Sequence, residues 1–169
     1  MANTTFTGPV RSLNGFVGAL TGNVTGNITT APAAVTSATA TIDSTYAGKT
    51  IYMNRAAGAA VTLPAALGTG NVYTFVLAAT ATGDQVVKVA NATDTMIGSA
   101  HVVSDNSAAV LGYIAGSTAD TITLNGTTTG GASAGDTIIV RDIATAKWAV
   151  QVFSTATSTE ATPFSATVS

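Results

Sequence analysis

The chain has 169 residues, of which 46% are hydrophobic and 8% are charged, and its formal net charge is −2. Disordered chains are poor in apolar residues and rich in charge, so this composition predicts a folded chain, long enough for one compact domain plus an arm. The six Lys and Arg residues form no cluster and cysteine is absent, which argues against a nucleic-acid partner and excludes both a disulfide framework and a Cys-ligated metal.

The low charge allows two interpretations of the surface. Charged residues are depleted from the cores of protein interfaces, so a surface of Thr, Ser, Asn and backbone suits permanent packing against neighbouring proteins. The alternative is a Thr-rich β-domain whose surface is neutral and has no such role.

The N-terminal sequence MANTTFTGPVRS lacks the basic region and the apolar region of a secretory signal. The longest apolar run, FVLAA, is far too short to cross a bilayer. We therefore expect synthesis in a cytoplasm, no export by a classical signal and no membrane partner.

Residues 1–31 are rich in Thr, Asn and Gly, and they are predicted to form an extended arm. Because Gly, Asn and β-branched residues are weak helix formers, the arm is predicted to be a strand rather than a helix. Large apolar residues recur at every fourth position with a glycine midway between them, which places them on one face of a strand. These apolar residues are Phe16, Leu20, Val24 and Ile28.

An isolated strand of this kind leaves its backbone groups unpaired, so we expect copies of the chain to meet around an axis. The large residues would then fill the centre, and the glycines would let neighbouring backbones approach. The alternative is a flexible Gly/Thr linker whose spacing is accidental, because low-complexity segments produce periods easily.

From about Ala34 onwards the pattern predicts β-strands. The first segments in chain order are AVTSATATI, KTIYMNRA, AAVTLPAA, which Pro64 stops, and NVYTFVLAAT, whose residues alternate between two faces. QVVKVAN and DTITLNG follow, and each is closed by an Asn-containing turn. We find no segment with a sustained helical period and caps.

The clearest unit is GDTIIVRDIATAKWAVQVF. Residues 138–143 alternate between two faces, and Trp148, Val150 and Val152 share one face after the segment ATAK. This pattern predicts a β-hairpin with a four-residue loop.

Several short strands at roughly ten-residue spacing predict an all-β fold, either an antiparallel β-sandwich or a barrel-like domain, with an extended N-terminal arm. We assign residues 1–31 to the arm, residues 32–160 to the β-rich domain and residues 161–169 to a C-terminal tail. The expected core consists of Ile51, Val61, Leu63, Tyr73, Phe75, Leu77, Val87, Ile122, Leu124, Ile138, Val140, Trp148 and Val150.

The sole histidine, His101, lies near Ser99, Ser104 and Asp105. A Ser-His-Asp triad requires side chains that converge in space, which proximity in sequence does not establish, so we interpret His101 as a strand or loop residue. The carboxylates are scattered, and we interpret most of them as turn or strand-end residues that bond their own backbone. No spacing matches a calcium loop or a glycosidase pair. We therefore expect no catalytic residue, no cofactor and no metal.

Four segments, in this order, resemble a recurrent module of tailed-phage structural proteins: AVTLPAALGTGNVYTFVLA, ATDTMIGSA, TITLNG and GDTIIVRDIATAKWAVQV. The positions that carry the resemblance are Val61–Ala66, Gly70–Phe75, Asp94–Gly98 and Trp148. The opening TTFTGPVRSLNGF is similar to the N-terminus of small capsid-associated proteins, especially those of aquatic phages. The arm departs from this pattern, because GALTGNVTGN looks more like a fibre-stem repeat, and location on a head or in a fibre stays open.

The resemblance implies a capsid decoration (cement) protein that binds the outside of an icosahedral head as a homotrimer and stabilises the capsid. Its partners would be the major capsid protein and further copies of itself, and it would reach the outer capsid surface after synthesis in the host bacterial cytoplasm. In this interpretation Phe16, Leu20, Val24 and Ile28 are the trimer contacts. The expected attachment residues lie before them and include a guanidinium that can bridge to capsid carboxylates: Phe6, Pro9, Val10 and Arg11.

Three alternatives come from other classes of protein. A receptor-binding fibre tip would expose an aromatic or polar pocket. A carbohydrate-binding module would stack sugars on Trp148 or Tyr113, whereas the alternation around Trp148 predicts a core position. An enzyme would need titratable groups that converge.

Overall fold

The computed structural model describes residues 32–107 and 109–168, which form twelve strands and one short 3-10 helix, Ser44–Tyr46. The strands of the first half are β1 (Ala33–Val35), β2 (Thr39–Thr41), β3 (Thr50–Met53), β4 (Ala59–Thr62), β5 (Val72–Leu77) and β6 (Gln85–Lys88). Those of the second half are β7 (Thr95–Ser104), β8 (Val110–Ile114), β9 (Thr121–Leu124), β10 (Thr137–Ala144), β11 (Lys147–Ala156) and β12 (Phe164–Ser165).

The strands form two sheets that pack face to face. The seven-stranded sheet has the order β1-β3-β5-β10-β11-β7-β8, and the five-stranded sheet has the order β12-β9-β6-β4-β2. One hydrophobic cluster, with residues from both sheets, fills the space between them. The prediction of an all-β sandwich is therefore confirmed.

The sheets are mixed, whereas the sequence predicted antiparallel ones. From β1 to β6 the chain alternates between the two sheets, so each strand returns beside the strand two places earlier and runs parallel to it. Tight hairpins join only strands that are adjacent in one sheet, and parallel neighbours require a crossover. Here the crossover is a strand of the opposite sheet, and the first half of the domain is thus a flattened coil.

All thirteen side chains of the expected core are buried, and the residues that bear them come from both sheets. Tyr73 and Trp148 are fully buried and meet edge to face, with 5.9 Å between their ring centroids. Edge-to-face packing is a preferred arrangement of aromatic pairs. The alternation that predicted the core is therefore confirmed residue by residue.

The hairpin predicted near the C-terminus is confirmed as β10 and β11, which pair antiparallel with Ile138 opposite Val152 and Val140 opposite Val150. Its loop is shorter than the four residues expected, because Ala144 and Lys147 already pair. Ala146 makes the turn at a φ of 59°, a left-handed conformation that non-glycine residues adopt uncommonly.

Residues 161–168, which the sequence analysis set apart as a tail, pack against the sandwich. Phe164 is buried and lies opposite Ile122, so that β12 forms an edge of the five-stranded sheet. The Asp120 carboxylate accepts hydrogen bonds from the backbone N–H groups of Thr167 and Val168. Within the described residues no helix is long and apolar enough to span a membrane.

Candidate binding surface

The residues assigned to attachment and trimer contact from the sequence lie outside the described residues. They are Phe6, Pro9, Val10 and Arg11, and Phe16, Leu20, Val24 and Ile28. Among the described residues, the surfaces that a partner could contact are those of the β-sandwich.

The side of the seven-stranded sheet that points away from the core is the broadest surface the domain offers. Alternate residues of each strand share this side, and pairing aligns them in rows across the sheet, such as Tyr52, Val76, Thr137, Phe153 and His101. We call this side the outer face. It consists of Ala34, Thr50, Tyr52, Val72, Thr74, Val76, Thr95, Ile97, Ser99, His101, Val103, Val110, Gly112, Ile114, Thr137, Ile139, Arg141, Lys147, Ala149, Gln151, Phe153 and Thr155.

The outer face is apolar for a surface exposed to water. Of the eight large hydrophobic side chains exposed in the described part of the chain, six lie on it: Tyr52, Ile97, Val103, Val110, Ile114 and Phe153. It carries no carboxylate, and its only Lys and Arg residues are Arg141 and Lys147. Depletion of charge together with exposed aromatic and aliphatic side chains is the composition of interface cores.

A groove of about 370 Å³ crosses the middle of the outer face, between β10, β11 and β7. Its lining includes Ile97, Gly98, Ile139, Arg141 and Gln151. Gly98 has a φ of +142°, and a Cβ added to it would lie 1.9 Å from the Val150 carbonyl oxygen. The backbones of β7 and β11 therefore leave no room for a side chain there. The Arg141 guanidinium shows no hydrogen bond or ion pair to the described residues and is available to a ligand or partner.

A second hollow lies beside an aromatic pair near the C-terminal end of β11. The rings of His101 and Phe153 stack with their centroids 5.4 Å apart and their planes at 23°. Val103 and Val110 complete the apolar lining of this hollow, whose volume is about 410 Å³. The pair presents a small aromatic platform to the solvent.

The catalytic triad considered around His101 is not assembled in the described structure. Ser104 is buried, and its side chain points to the side of β7 opposite His101. Its hydroxyl accepts a hydrogen bond from the Asn106 N–H, 3.3 Å away. The His101 side chain shows no hydrogen bond to the described residues, so no nucleophile–base pair is formed there.

Four of the eight acidic side chains are buried, and each holds a loop by accepting backbone hydrogen bonds. Asp94 accepts from Ala66 N–H at 2.9 Å, and Asp136 accepts from Gly131 and Thr155 N–H at 2.8 and 2.9 Å. From the sequence, most carboxylates were expected to lie at turns or strand ends and to bond their own backbone. That interpretation fits Asp43, which accepts from Thr45 N–H, but not the buried aspartates, whose partners are mostly distant in the chain.

Asp142 is a buried carboxylate that accepts hydrogen bonds from several donors of one loop. It accepts hydrogen bonds from the backbone N–H groups of Leu67, Gly68 and Thr69, at 2.7–3.2 Å, and from the Thr69 hydroxyl at 2.7 Å. Burial acts to raise the pKa of Asp142, but the hydrogen bonds from Thr69, Gly68 and Leu67 outweigh it and hold the pKa below its ordinary value. In Asp136 burial prevails over the hydrogen bonds and raises the pKa.

The outer face as a unit was not predicted from the sequence. One signal was present: segments such as TIIV and WAVQVF place apolar residues at both odd and even positions, so both sides of the strand are partly apolar. Which residues of separate strands share a row depends on pairing, and the sequence alone does not reveal that.

Among the described residues no three His, Asp or Glu side chains are grouped so that they could hold a metal ion. Comparisons of the chain with family models, with curated proteins and with solved structures gave no match.

Proposed function

We propose that this chain is a structural virion protein that binds the outside of a tailed-phage head as a homotrimer and stabilises the capsid. The observation that carries the proposal is the outer face, with six exposed large hydrophobic side chains, no carboxylate and only two Lys or Arg residues. A face of this composition suits contacts that are buried permanently in an assembly. The phage head as the setting rests on the sequence resemblance to tailed-phage structural proteins.

In the proposed assembly the arm attaches to the major capsid protein, and the middle of the outer face packs between copies. A trimer that contacts several capsid subunits gains from multivalency, because each contact raises the effective concentration for the next. Moderate individual contacts then give a lasting clamp against the pressure of packaged DNA. The buried aspartates support this role, since they hold loops within the domain and so favour a rigid part.

The test is a pull-down with bare phage heads, using the full chain and a variant that lacks residues 2–30. We expect the truncated protein to stay folded and to lose head binding, because the proposed attachment residues are removed. A double variant, Leu20→Asp with Val24→Asp, should weaken the trimer before it unfolds the domain, because unpaired charges would be buried facing one another. Full head binding by the truncated protein would refute attachment through the arm.

The proposed contribution of the outer face to the trimer is tested separately by Ile97→Asp, which places a carboxylate beside the groove. The matched control is Thr39→Asp, an exposed position on the five-stranded sheet. Native mass spectrometry should show loss of trimer for Ile97→Asp only. An equal trimer fraction in both variants would show that the outer face makes no contact between copies.

The proposal also excludes catalysis. The substitutions His101→Ala and Asp105→Ala should leave head binding intact, because His101 forms no hydrogen-bonded pair with a nucleophile in the described structure. Loss of the biological role in either variant, with stability and assembly unchanged, would contradict a purely structural protein.

A carbohydrate- or receptor-binding β-module of a fibre is the second candidate function. The observation that favours it is the exposed pair of Phe153 and His101, since flat aromatic surfaces suit sugar rings. Trp148 is fully buried and is not available as a platform. A glycan array that shows binding abolished by Phe153→Ala would support this candidate, whereas no binding by the wild-type protein would remove it.

A further inference from the structure

The four edges of the two sheets differ in how well they are protected against pairing with another chain. Three edge strands are very short: β1 and β2 have three residues each, and β12 has two. The fourth, β8, has five residues, VLGYI, with no charge and no proline. Natural proteins protect sheet edges by shortness, charge or proline, and β8 has none of these.

The hydrogen bonds between β7 and β8 show which backbone groups of β8 have no partner among the described residues. Ser104 N–H donates to Ala109 C=O, and Ala115 N–H donates to Gly98 C=O. In an antiparallel pair, residues alternate between those that bond the neighbour and those that point away from it. Val110, Gly112 and Ile114 therefore direct their N–H and C=O groups to the open edge. Val110 and Ile114 are 57% and 83% exposed.

Gly112 has no explanation within the described fold. A Cβ added there would meet nothing within 4 Å, and its φ is not in the left-handed region. A glycine in a strand weakens the strand, and it often marks a place where another backbone approaches closely. β7 pairs with one side of Gly112, no described strand pairs with the other side, and the outer face is open above it, so a neighbour at that edge would come from outside the described residues.

We propose that β8 pairs with β8 of a second copy, antiparallel and across a two-fold axis at Gly112. In this register Gly112 faces Gly112 of the second copy, and Val110 faces Ile114 of the second copy. All three residues with outward backbone groups then form hydrogen-bonded pairs, each with two N–H···O=C bonds. The side chains on the two faces pair as Val with Ile and Leu with Tyr, and no like charges meet.

A second copy is favoured over a different partner because the edge is complementary to itself. An isologous contact requires that the same patch match its own image. The strand VLGYI satisfies this requirement with its glycine at the centre and apolar residues on both sides. The contact lies at the margin of the outer face and leaves its middle for the proposed trimer. A three-fold trimer has no internal two-fold axis, so the pairing would join copies of two different trimers. It holds whether or not the protein binds a capsid.

The absence of cysteine allows a direct test with the full chain. In a hydrogen-bonded antiparallel pair the Cα atoms of opposed residues lie about 5.5 Å apart, within the range of a disulfide. Gly112→Cys should therefore form a covalent dimer under mild oxidation, visible on a denaturing gel without reductant. The control Thr39→Cys, at an exposed residue on another edge, should remain monomeric on the same gel.

A second variant distinguishes cross-linking through paired β8 edges from cross-linking through chance collision of the cysteines. Adding Ile114→Pro to Gly112→Cys removes an N–H that points away from β7, so no hydrogen bond to another described residue is lost. We expect the covalent dimer to be lost while the circular dichroism spectrum stays that of the folded protein. Cross-linking of Gly112→Cys no faster than Thr39→Cys, or a dimer that survives Ile114→Pro, would overturn the proposal.

Discussion

Asp142 illustrates how single residues hold this domain together. Its carboxylate accepts hydrogen bonds from the backbone N–H groups of residues 67–69 and so holds that loop against the β10–β11 hairpin. The sequence showed an aspartate near a turn, but its partners lie 73–75 residues away, and no local pattern reveals such a contact. Long-range side chain–backbone bonds of this kind are the part of the fold that the sequence analysis could not supply.

Asp142→Asn should lower the free energy of unfolding by about 1.5–3 kcal/mol at neutral pH, because hydrogen bonds to a charged acceptor are lost. The pKa of Asp142 is lowered in the folded state, so its contribution is present above the unfolded value and is lost as pH falls through the folded pKa. Urea denaturation at pH 7 and near pH 3 should therefore show a smaller effect of the substitution in acid.

The effect of Asp136→Asn on stability should change with pH in the opposite direction to that of Asp142→Asn. The pKa of Asp136 is raised in the folded state, so the wild-type protein gains stability from this group as pH falls from above the folded pKa towards the unfolded value. The effect of Asp136→Asn should consequently grow over that interval. Parallel pH trends for the two variants would contradict the assignment of their environments.

Gly98→Ala should destabilise the domain. The φ of +142° alone costs an alanine about 1–3 kcal/mol, and the new Cβ would clash with the Val150 carbonyl oxygen. Gly116→Ala is the matched control, since a Cβ there meets nothing within 4 Å. Thermal unfolding should separate the two variants by several degrees, and equal midpoints would refute the close approach of β7 and β11.

At the scale of the elements, β11 shows what a sequence pattern predicts well. Its alternation placed Trp148, Val150 and Val152 on one face, and all three are buried. The pattern could not give the loop length, because the pairing of Ala144 with Lys147 depends on a register shift after Asp142. It also could not show that the opposite side of β11, with Phe153, belongs to a wide apolar face.

Trp148→Ala should lower the free energy of unfolding by about 3–5 kcal/mol, because a fully buried indole leaves a cavity. Phe75→Ala, also fully buried, should have an effect of similar size. Phe153→Ala is the control, since Phe153 lies on the same strand as Trp148 but on the outer face. A Trp148→Ala effect no larger than that of Phe153→Ala, measured by urea denaturation, would contradict the core assignment.

At the scale of the whole molecule, the all-β class and the core were predictable, whereas the parallel coil of β1 to β6 was not. The apolar patterns around Ile51 and Phe75 predict buried strands. The strands that carry them, β3 and β5, pair in parallel because β4, which connects them, lies in the other sheet. The outer face and the open edge of β8 follow from the order of the seven-stranded sheet, in which β8 is the last strand. The proposed attachment residues, from Phe6 to Arg11, lie outside the described residues, so their role stays a prediction.

Electron microscopy of phage heads with and without this protein tests the proposed function most directly. Heads assembled without it should lack surface knobs, and addition of the purified full chain should restore them with three-fold symmetry. Such knobs follow from a trimer that binds the outer capsid surface. Identical head surfaces in the two samples, or density for the protein on the tail fibres alone, would contradict the proposal.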